Sequence, residues 1–520
     1  MGEQAIRRIV VVGGGSAGWL SACLIASRST ETSPQLLDVT IVESPDMPTI
    51  GVGEGTWPTM RRTLSQIGIA EPDFLLACEA SFKQGSRFEG WCTGQSDDTY
   101  RHPFTPPPEA SPGQLVTAWQ SEGPSRSFAD VVSAQPQAAR LHLAPRQQSM
   151  PEYAGALNYA YHFDAGRFAA LLMRHGTENL GVRHLRDHVT GVERDEREGV
   201  AAIRLRDGER LEGDLFIDCS GHAALLIGQE LGVPFRSRAR ELFNDRALAL
   251  QVPVEAGSPI ASETIATAHQ AGWIWDIGLP GRRGIGCVYS SDHLDDAAAE
   301  RILQTYVQEQ VGGAKKMAFT PRKLQFQSGH RERFWKGNCL AIGLSAGFLE
   351  PLEASAIVTV ELSLQALLDN FPAERDTMHI CAERFNTLFS YRWQKIIEFL
   401  KLHYVLSQRT EPYWQAHRDP STIPVSLAEQ LKLWRSRPPS RYDFAHADEI
   451  FPAASYQYVL YGMGFPPPPA VATAGDSVPP WASQVQQRAR ALAASLPGNR
   501  AYLDALRAER AAHDATEVAS

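Results

Sequence analysis

The chain has 520 residues, 43% apolar and 21% charged, values that exclude a disordered or fibrous protein and lead us to expect two structural lobes. Its 50 Lys and Arg against 59 Asp and Glu leave a net charge of −9, and no basic run stands out, which argues against a nucleic-acid or membrane surface. Seven cysteines without repeated spacing resemble neither a disulfide framework nor a metal site, so a reducing cytoplasm is the expected setting and no metal is expected.

Residues 8–12 (RIVVV) read as a buried strand running into three glycines, and residues 16–27 follow with helical composition. A second strand spans 38–42 and ends at Glu43. Between about 93 and 151 the pattern dissolves into Pro, Ser, Gln and Gly, which predicts long excursions over the core in place of a regular sheet layer. Residues 201–206, the turn Asp207-Gly208 and residues 209–218 predict a hairpin whose second strand enters the turn Asp218-Cys219-Ser220-Gly221. Another strand, 339–342, precedes Gly343, and residues 357–406 carry helical periodicity. After Phe465 come four prolines, predicting a stiff connector, and then one Ala- and Arg-rich helix from about Trp481.

Glycines 13, 15 and 18, with Ser16 and Ala17 between them, have the spacing of a dinucleotide fingerprint. Gly13 permits the tight turn, Gly15 lets backbone approach a pyrophosphate, and Gly18 lets the helix pack close to its strand. Glu43 stands at a strand end where a ribose-binding carboxylate belongs. The two later turns at strand ends, 218–221 and Gly343, suit a large flavin lying across several strands, so FAD is favoured over NAD.

Five stretches then carry a resemblance to the flavin-dependent tryptophan and indole halogenases: GGGSAGW (13–19), GVGEGTWPT (51–59), SFKQG (81–85), GWIWDIGLPGRRGIGCVYS (272–290) and IGLSAGFLEPLEASAI (342–357). The resemblance spans most of the chain and is weakest over 93–150 and after about 410. It implies that Gly51, Val52, Gly53 and Glu54 form a flavin-contacting loop, and that Gly343 and Leu344 complete the cofactor site. Lys83, which alone reads as a solvated surface amine, becomes the expected catalytic amine. It would hold hypohalous acid by a hydrogen bond or form a haloamine. Glu353 becomes the catalytic carboxylate, while Glu350, three residues earlier, keeps a structural reading at a helix's first turn. The backbone NH groups of Ser355 and Ala356 are the implied halide site, with Ala356 standing where the family pattern has glycine.

Trp273 and Trp275, two apart and so on one strand face, are implied to wall the substrate off from the flavin. Their signature departs from the family's in having Gly278 where proline is usual, with Pro280 later. His102 and Phe104, in YRHPF, resemble the residues that sandwich the indole, and Trp414 and Tyr456 are weaker candidates near the C-terminus. Whether the substrate is free tryptophan, indole, a phenol or a larger metabolite is left open by the residues, as are chloride against bromide and the ring position.

The resemblance implies an α/β, FAD-binding Rossmann-like three-layer fold with an interleaved substrate lobe and a largely helical C-terminal part. The expected divisions are FAD-binding segments at 1–92, 155–240 and 331–370, the last holding the halide site. Between them lie a substrate-lobe excursion at 93–154 and a substrate-facing sheet at 241–330, and a helical lobe and tail occupy 371–520. The implied partners are a small aromatic substrate and a separate NAD(P)H-dependent flavin reductase, since no second nucleotide fingerprint is visible, with a homodimer left open. An FAD-dependent aromatic monooxygenase of the same fold is the alternative, and a non-catalytic flavin carrier is a third reading.

Overall fold

The structure is a computed structural model that describes residues 5–31, 37–46, 53–123, 125–311, 320–469 and 480–519. Gly51 and Val52 lie outside the described residues, as does most of the connector after the prolines.

A six-stranded sheet carries the nucleotide turn. Arg8–Val12 lies between Leu215–Asp218 and Asp38–Glu43, each pairing in parallel. Cys339–Ala341 extends one side in parallel and Arg183–Arg186 the other. A central parallel strand is covered on both faces, which is why its sequence is continuously apolar; Ile9, Val10, Val11 and Val12 are all buried. The helices Ser16–Glu31, Ala165–Glu178 and Ser355–Asp369 pack together beside this sheet. An antiparallel layer, Val189–Arg194, Val200–Leu205 and Arg210–Glu212, is tied to the same sheet by Asn338. Its side chain accepts from Val200 N at 2.8 Å and donates to the Val200 carbonyl at 2.8 Å.

A second, seven-stranded sheet builds the other side, in the order Arg322–Gln325, Arg246–Pro253, Arg282–Tyr289, Gly272–Gly278, Thr264–His269, Gly85–Glu89 and Thr99–Pro103. A three-stranded patch joins the two halves, with Ala160–Phe163 between Glu54–Gly55 and Ser81–Lys83. The chain thus leaves the patch at Lys83, crosses at Gln84 and enters the large sheet at Gly85.

Several sequence expectations are corrected. The stretch 93–151 is not all excursion, because Thr99–Pro103 pairs with Gly85–Glu89 as the last strand of the large sheet. The predicted hairpin strand 209–218 is two strands in different sheets, Arg210–Glu212 and Leu215–Asp218, broken at Gly213-Asp214. The helical run 357–406 is two helices, Ser355–Asp369 and Met378–Leu406, and the tail is also two, Pro480–Ser495 and Asn499–Ala519. In each case a short break interrupts a periodic pattern: Asp214 bonds Arg7 and Arg8, Arg375 bonds Asp195, and Pro497-Gly498 parts the two tail helices.

The three-stranded patch is anchored by buried Glu71. Its carboxylate accepts from the Tyr159 and Tyr161 hydroxyls, each at 2.7 Å, from Tyr153 N at 2.8 Å and from the Arg146 guanidinium. Removing one partner of a buried charge pair leaves the other uncompensated. Glu71→Ala is therefore expected to lower global stability by roughly 3–5 kcal/mol, read as a fall in the urea midpoint.

Candidate active site

The glycine turn has the shape a nucleotide requires. Gly13 has φ +117°, and a Cβ there would lie 2.2 Å from the Cys219 carbonyl oxygen, so only glycine lets the first and second segments touch. A Cβ on Gly18 would meet the Gly13 carbonyl at 1.8 Å, whereas one on exposed Gly15 would have nothing within 4 Å. That open position, above the first turn of Ser16–Glu31, is a cradle with helix NH groups facing it. Glu43 lies beneath the turn, where its carboxylate accepts from Trp19 Nε1 at 3.4 Å and meets His184 Nε2 at 2.9 Å. Gly343, φ +73°, brings the third segment against Ala17, and Leu344 beside it is exposed. Asp218, by contrast, is consumed within the fold. Its oxygens accept from Ser220 N and Oγ and from the backbone of Leu226 and Ile227.

Lys83 is buried, 1% exposed, which overturns the surface reading of the residue taken alone. Its strand is fixed by its neighbours: Gln84 donates from its side chain to Leu143 O at 2.7 Å and from its backbone to Ser262 O at 2.7 Å. Gly85, φ +149°, lets the His102 backbone approach to where a Cβ would stand 2.4 Å from its oxygen. Lys83 Nζ lies over the Phe104 ring at 5.4 Å and within 3.1 Å of where a side chain on Gly55 would begin. Burial pushes the ammonium down to about 8, against the pull of Glu353. Behind it stands His162, wholly buried, with Nε2 on Thr264 Oγ1 at 2.8 Å and Nδ1 without a partner among the described residues. Desolvation, and then the charge of Lys83, keep this imidazole neutral.

Glu353 reaches the same space by a backbone device. Glu353 has φ 65° and ψ 6°, and Ala354 has φ 54° and ψ 45°, two successive left-handed residues that are not glycine. The expected helical first turn shared with Glu350 is therefore absent, and the helix begins only at Ser355. Trp57 Nε1 donates to the Glu353 carbonyl at 2.7 Å and holds the turn. The carboxylate oxygen Oε1 is met by His102 Nδ1 at 2.8 Å and by His403 Nε2 at 3.2 Å, and no described residue bonds Oε2. Burial works to raise this carboxyl, but the charges and hydrogen bonds of His102 and His403 outweigh it and hold it far below the ordinary carboxylate range.

At the start of Ser355–Asp369 no side chain caps the helix, so its leading NH groups face outward as an anion site would need. Ser355 is buried and Ala356 is exposed. Glu54 is partly buried; burial pushes it up to about 7 and no described residue hydrogen-bonds its carboxyl.

Trp273 and Trp275 lie on the strand Gly272–Gly278 with ring centroids 6.4 Å apart. Trp273 Nε1 donates at 2.9 Å to Glu350 Oε2, which also accepts from Tyr404 at 2.8 Å and Asn244 at 2.5 Å. Glu350 is thus the anchor of the first tryptophan. The missing proline of the signature does not open the turn, since Leu279 N donates to Arg282 O at 2.9 Å. Trp414 and Tyr456 are core residues, each with no exposure. Trp414 Nε1 donates to His269 O, and Tyr456 packs on Phe399 and Trp434. Sequence reasoning missed Trp57, His162, His403 and Ser455, whose Oγ lies 2.9 Å from His102 Nε2.

A dinucleotide cradle joined through one small sheet to an enclosed amine and carboxylate defines an enzyme of the aromatic hydroxylase and halogenase architecture. The chain matches the tryptophan halogenase family over residues 8–478. It is 32% identical to a tryptophan 6-halogenase of Streptomyces toxytricini, covering 96% of this chain and 98% of that one. Among solved structures, a tryptophan halogenase from Shewanella frigidimarina superposes with TM-score 0.91 at 44% identity, covering 96% of this chain and 98% of the other. BrvH, a flavin-dependent halogenase from Brevundimonas, does so with TM-score 0.81 at 32% identity, covering 96% and 99%. This chain belongs to the tryptophan halogenase family, whose members are flavin-dependent enzymes.

The open position at Gly15 fits the FAD that the family implies, because a side chain there would enter space that no protein atom fills. Gly15→Val is expected to weaken FAD binding roughly tenfold or more, a loss of about 1.4 kcal/mol, with the urea midpoint unchanged. Quenching of flavin fluorescence on titration measures the first.

Proposed function

We propose that the enzyme halogenates an electron-rich aromatic ring, of which indole and tryptophan are the leading examples, with Lys83 and Glu353 as its catalytic pair. The observation that carries this reading is the enclosure of one amine and one carboxylate at the junction of the two sheets, with aromatic rings around them. In the proposed site Gly13, Gly15, Ser16, Ala17 and Gly18 hold the FAD pyrophosphate and Glu43 the ribose. Gly53, Glu54, Gly343 and Leu344 line the flavin's path, as Gly51 and Val52 do by resemblance. The NH groups of Ser355 and Ala356 receive chloride or bromide. Reduced FAD, when bound, supplies hypohalous acid together with dioxygen and the halide.

Lys83, as an ammonium, donates a hydrogen bond to that acid and fixes the direction from which the halogen is presented. The arene lies against His102 and Phe104. Its ring carbon forms the carbon–halogen bond as the halogen–oxygen bond breaks. The ring proton passes to Glu353 Oε2, the oxygen without a partner among the described residues, while the departing hydroxide takes the proton donated by the Lys83 ammonium and leaves as water; proton transfer from Glu353 back to Lys83 resets the pair. A weakly basic carboxylate suffices for this, because the halogenated arenium cation is a far stronger acid than any carboxylic acid. Trp273, held by Glu350, and Trp275 wall the arene from the flavin chamber and exclude water. Reduced flavin comes from a separate reductase, since the sequence has no second nucleotide fingerprint.

Lys83→Ala, supplied with a flavin reductase, NADH, FAD and bromide, is expected to lose halogenated indole by roughly 100-fold or more, while oxygen-dependent flavin reoxidation continues. Normal product formation would sink the proposal. Because burial pushes Lys83 down to about 8, kcat is expected to hold through neutrality and fall as pH rises through that value and the ammonium is lost. A haloamine route requires the neutral amine and would give the opposite limb.

A further inference from the structure

His403 stands on the long helix Met378–Leu406 with no exposure at all. Its Nδ1 faces the Phe399 carbonyl at 2.9 Å, and a carbonyl can only accept, so Nδ1 carries a proton. Its Nε2 faces Glu353 Oε1 at 3.2 Å. A neutral imidazole protonated at Nδ1 offers a lone pair at Nε2, which cannot bond a carboxylate lone pair. The pair therefore holds one proton more than a neutral ring beside a carboxylate. His102 Nδ1 converges on the same oxygen at 2.8 Å, and two nitrogens meeting one oxygen are best satisfied when both donate to it. The surroundings suit a cation. The rings of Phe88, Trp91 and Phe399 lie 5.0, 6.0 and 5.3 Å from that of His403.

We propose that His403 is a positioning residue that carries both ring protons and, as an imidazolium, clamps Glu353 Oε1 so that Oε2 alone is free to work on the substrate. The proposal rests on the reading of Glu353 given above. The other titratable groups facing the carboxylate are Lys83 from the strand Ser81–Lys83, and Tyr100 and His102 from Thr99–Pro103. His403 acts on none of the reacting atoms directly. It keeps Glu353 ionised and fixes its rotamer.

Two measurements test this. The first needs no cofactor: nitrogen NMR of the chain labelled with 15N-histidine, with the His403 signals identified by their loss in a folded His403→Asn, His403→Gln or His403→Leu variant. Both nitrogens are expected to be protonated at neutral pH, and an unprotonated Nε2 would overturn the assignment. The second compares the three variants in the coupled assay. Asn can keep the bond to Phe399 O but falls short of Glu353, Leu keeps neither, and Gln can reach Glu353 with an N–H.

Asn and Leu are expected to lower kcat roughly 10- to 100-fold with KM for indole and flavin reoxidation unchanged, and Gln to recover most of the loss. The acid limb of kcat should move to higher pH in Asn and Leu, because losing the cation lets the Glu353 carboxyl rise toward its ordinary range. If wild type halogenates indole and all three variants match it in kcat and acid limb, this inference is wrong while the halogenase reading stands. If Gln fares as badly as Leu with the fold intact, a clamp by hydrogen bond is excluded. If wild type makes no halogenated product, the halogenase reading fails, and the nitrogen spectrum still decides the state of His403.

Discussion

Two consecutive left-handed residues, Glu353 and Ala354, are the constraint on which the site depends. Each costs of order 1–2 kcal/mol relative to ordinary backbone for a residue with a side chain. The bends are held by contacts from three directions: the Trp57 indole on the Glu353 carbonyl, His102 from the large sheet and His403 from the long helix. Because the chain turns there, the carboxylate reaches His102 and His403, close enough to act on the charge of Lys83, and the next helix starts with no side-chain cap on its first NH groups. A right-handed helical turn would have spent those NH groups on carbonyls one turn earlier.

The second organising feature is close approach at glycine. Gly13, Gly18 and Gly343 bring three separate segments together beneath the nucleotide cradle, and Gly85 brings the His102 strand onto the lysine strand. Neither pair of contacts tolerates a Cβ without moving backbone. The two halves are each tightened in the same way, and they meet at the small sheet that bears Lys83. Hydrogen bonds from Gln84, and those that Glu71 accepts from Tyr159 and Tyr161, then deny that sheet the freedom to slide.

Much of the first half was legible because its signals are local. A buried strand, a glycine turn and a helix are adjacent in sequence, and Glu43 follows at a strand end. The lysine was not legible from its own surroundings. SFKQG looks amphipathic, and nothing in five residues reveals that Ala160–Phe163 and the large sheet close over it; only the resemblance put it in a site. The Pro-rich stretch after residue 104 hid the strand that carries His102, and the three-residue spacing of Glu350 and Glu353 suggested a helix that the backbone does not form. His403 did leave a trace. Lys401 and His403 sit in a run, residues 396–404, that is otherwise almost wholly apolar, and polar groups buried that deeply call for partners. The partner is fifty residues distant in sequence, beyond the reach of any periodic pattern.

The Asn499 side chain bonds both backbone groups of Phe82, accepting from its N–H at 3.4 Å and donating to its carbonyl at 3.2 Å, as a neighbouring strand would. Tyr502 packs on the Phe82 ring at 5.1 Å. The strand Ser81–Lys83 thus gains its outer partner from the helix Asn499–Ala519. On the ribosome, that edge must wait unpaired while more than four hundred residues are still to emerge. The edge of the strand that bears Lys83 is consequently completed only once the segment around Asn499 has been made and has folded back onto it.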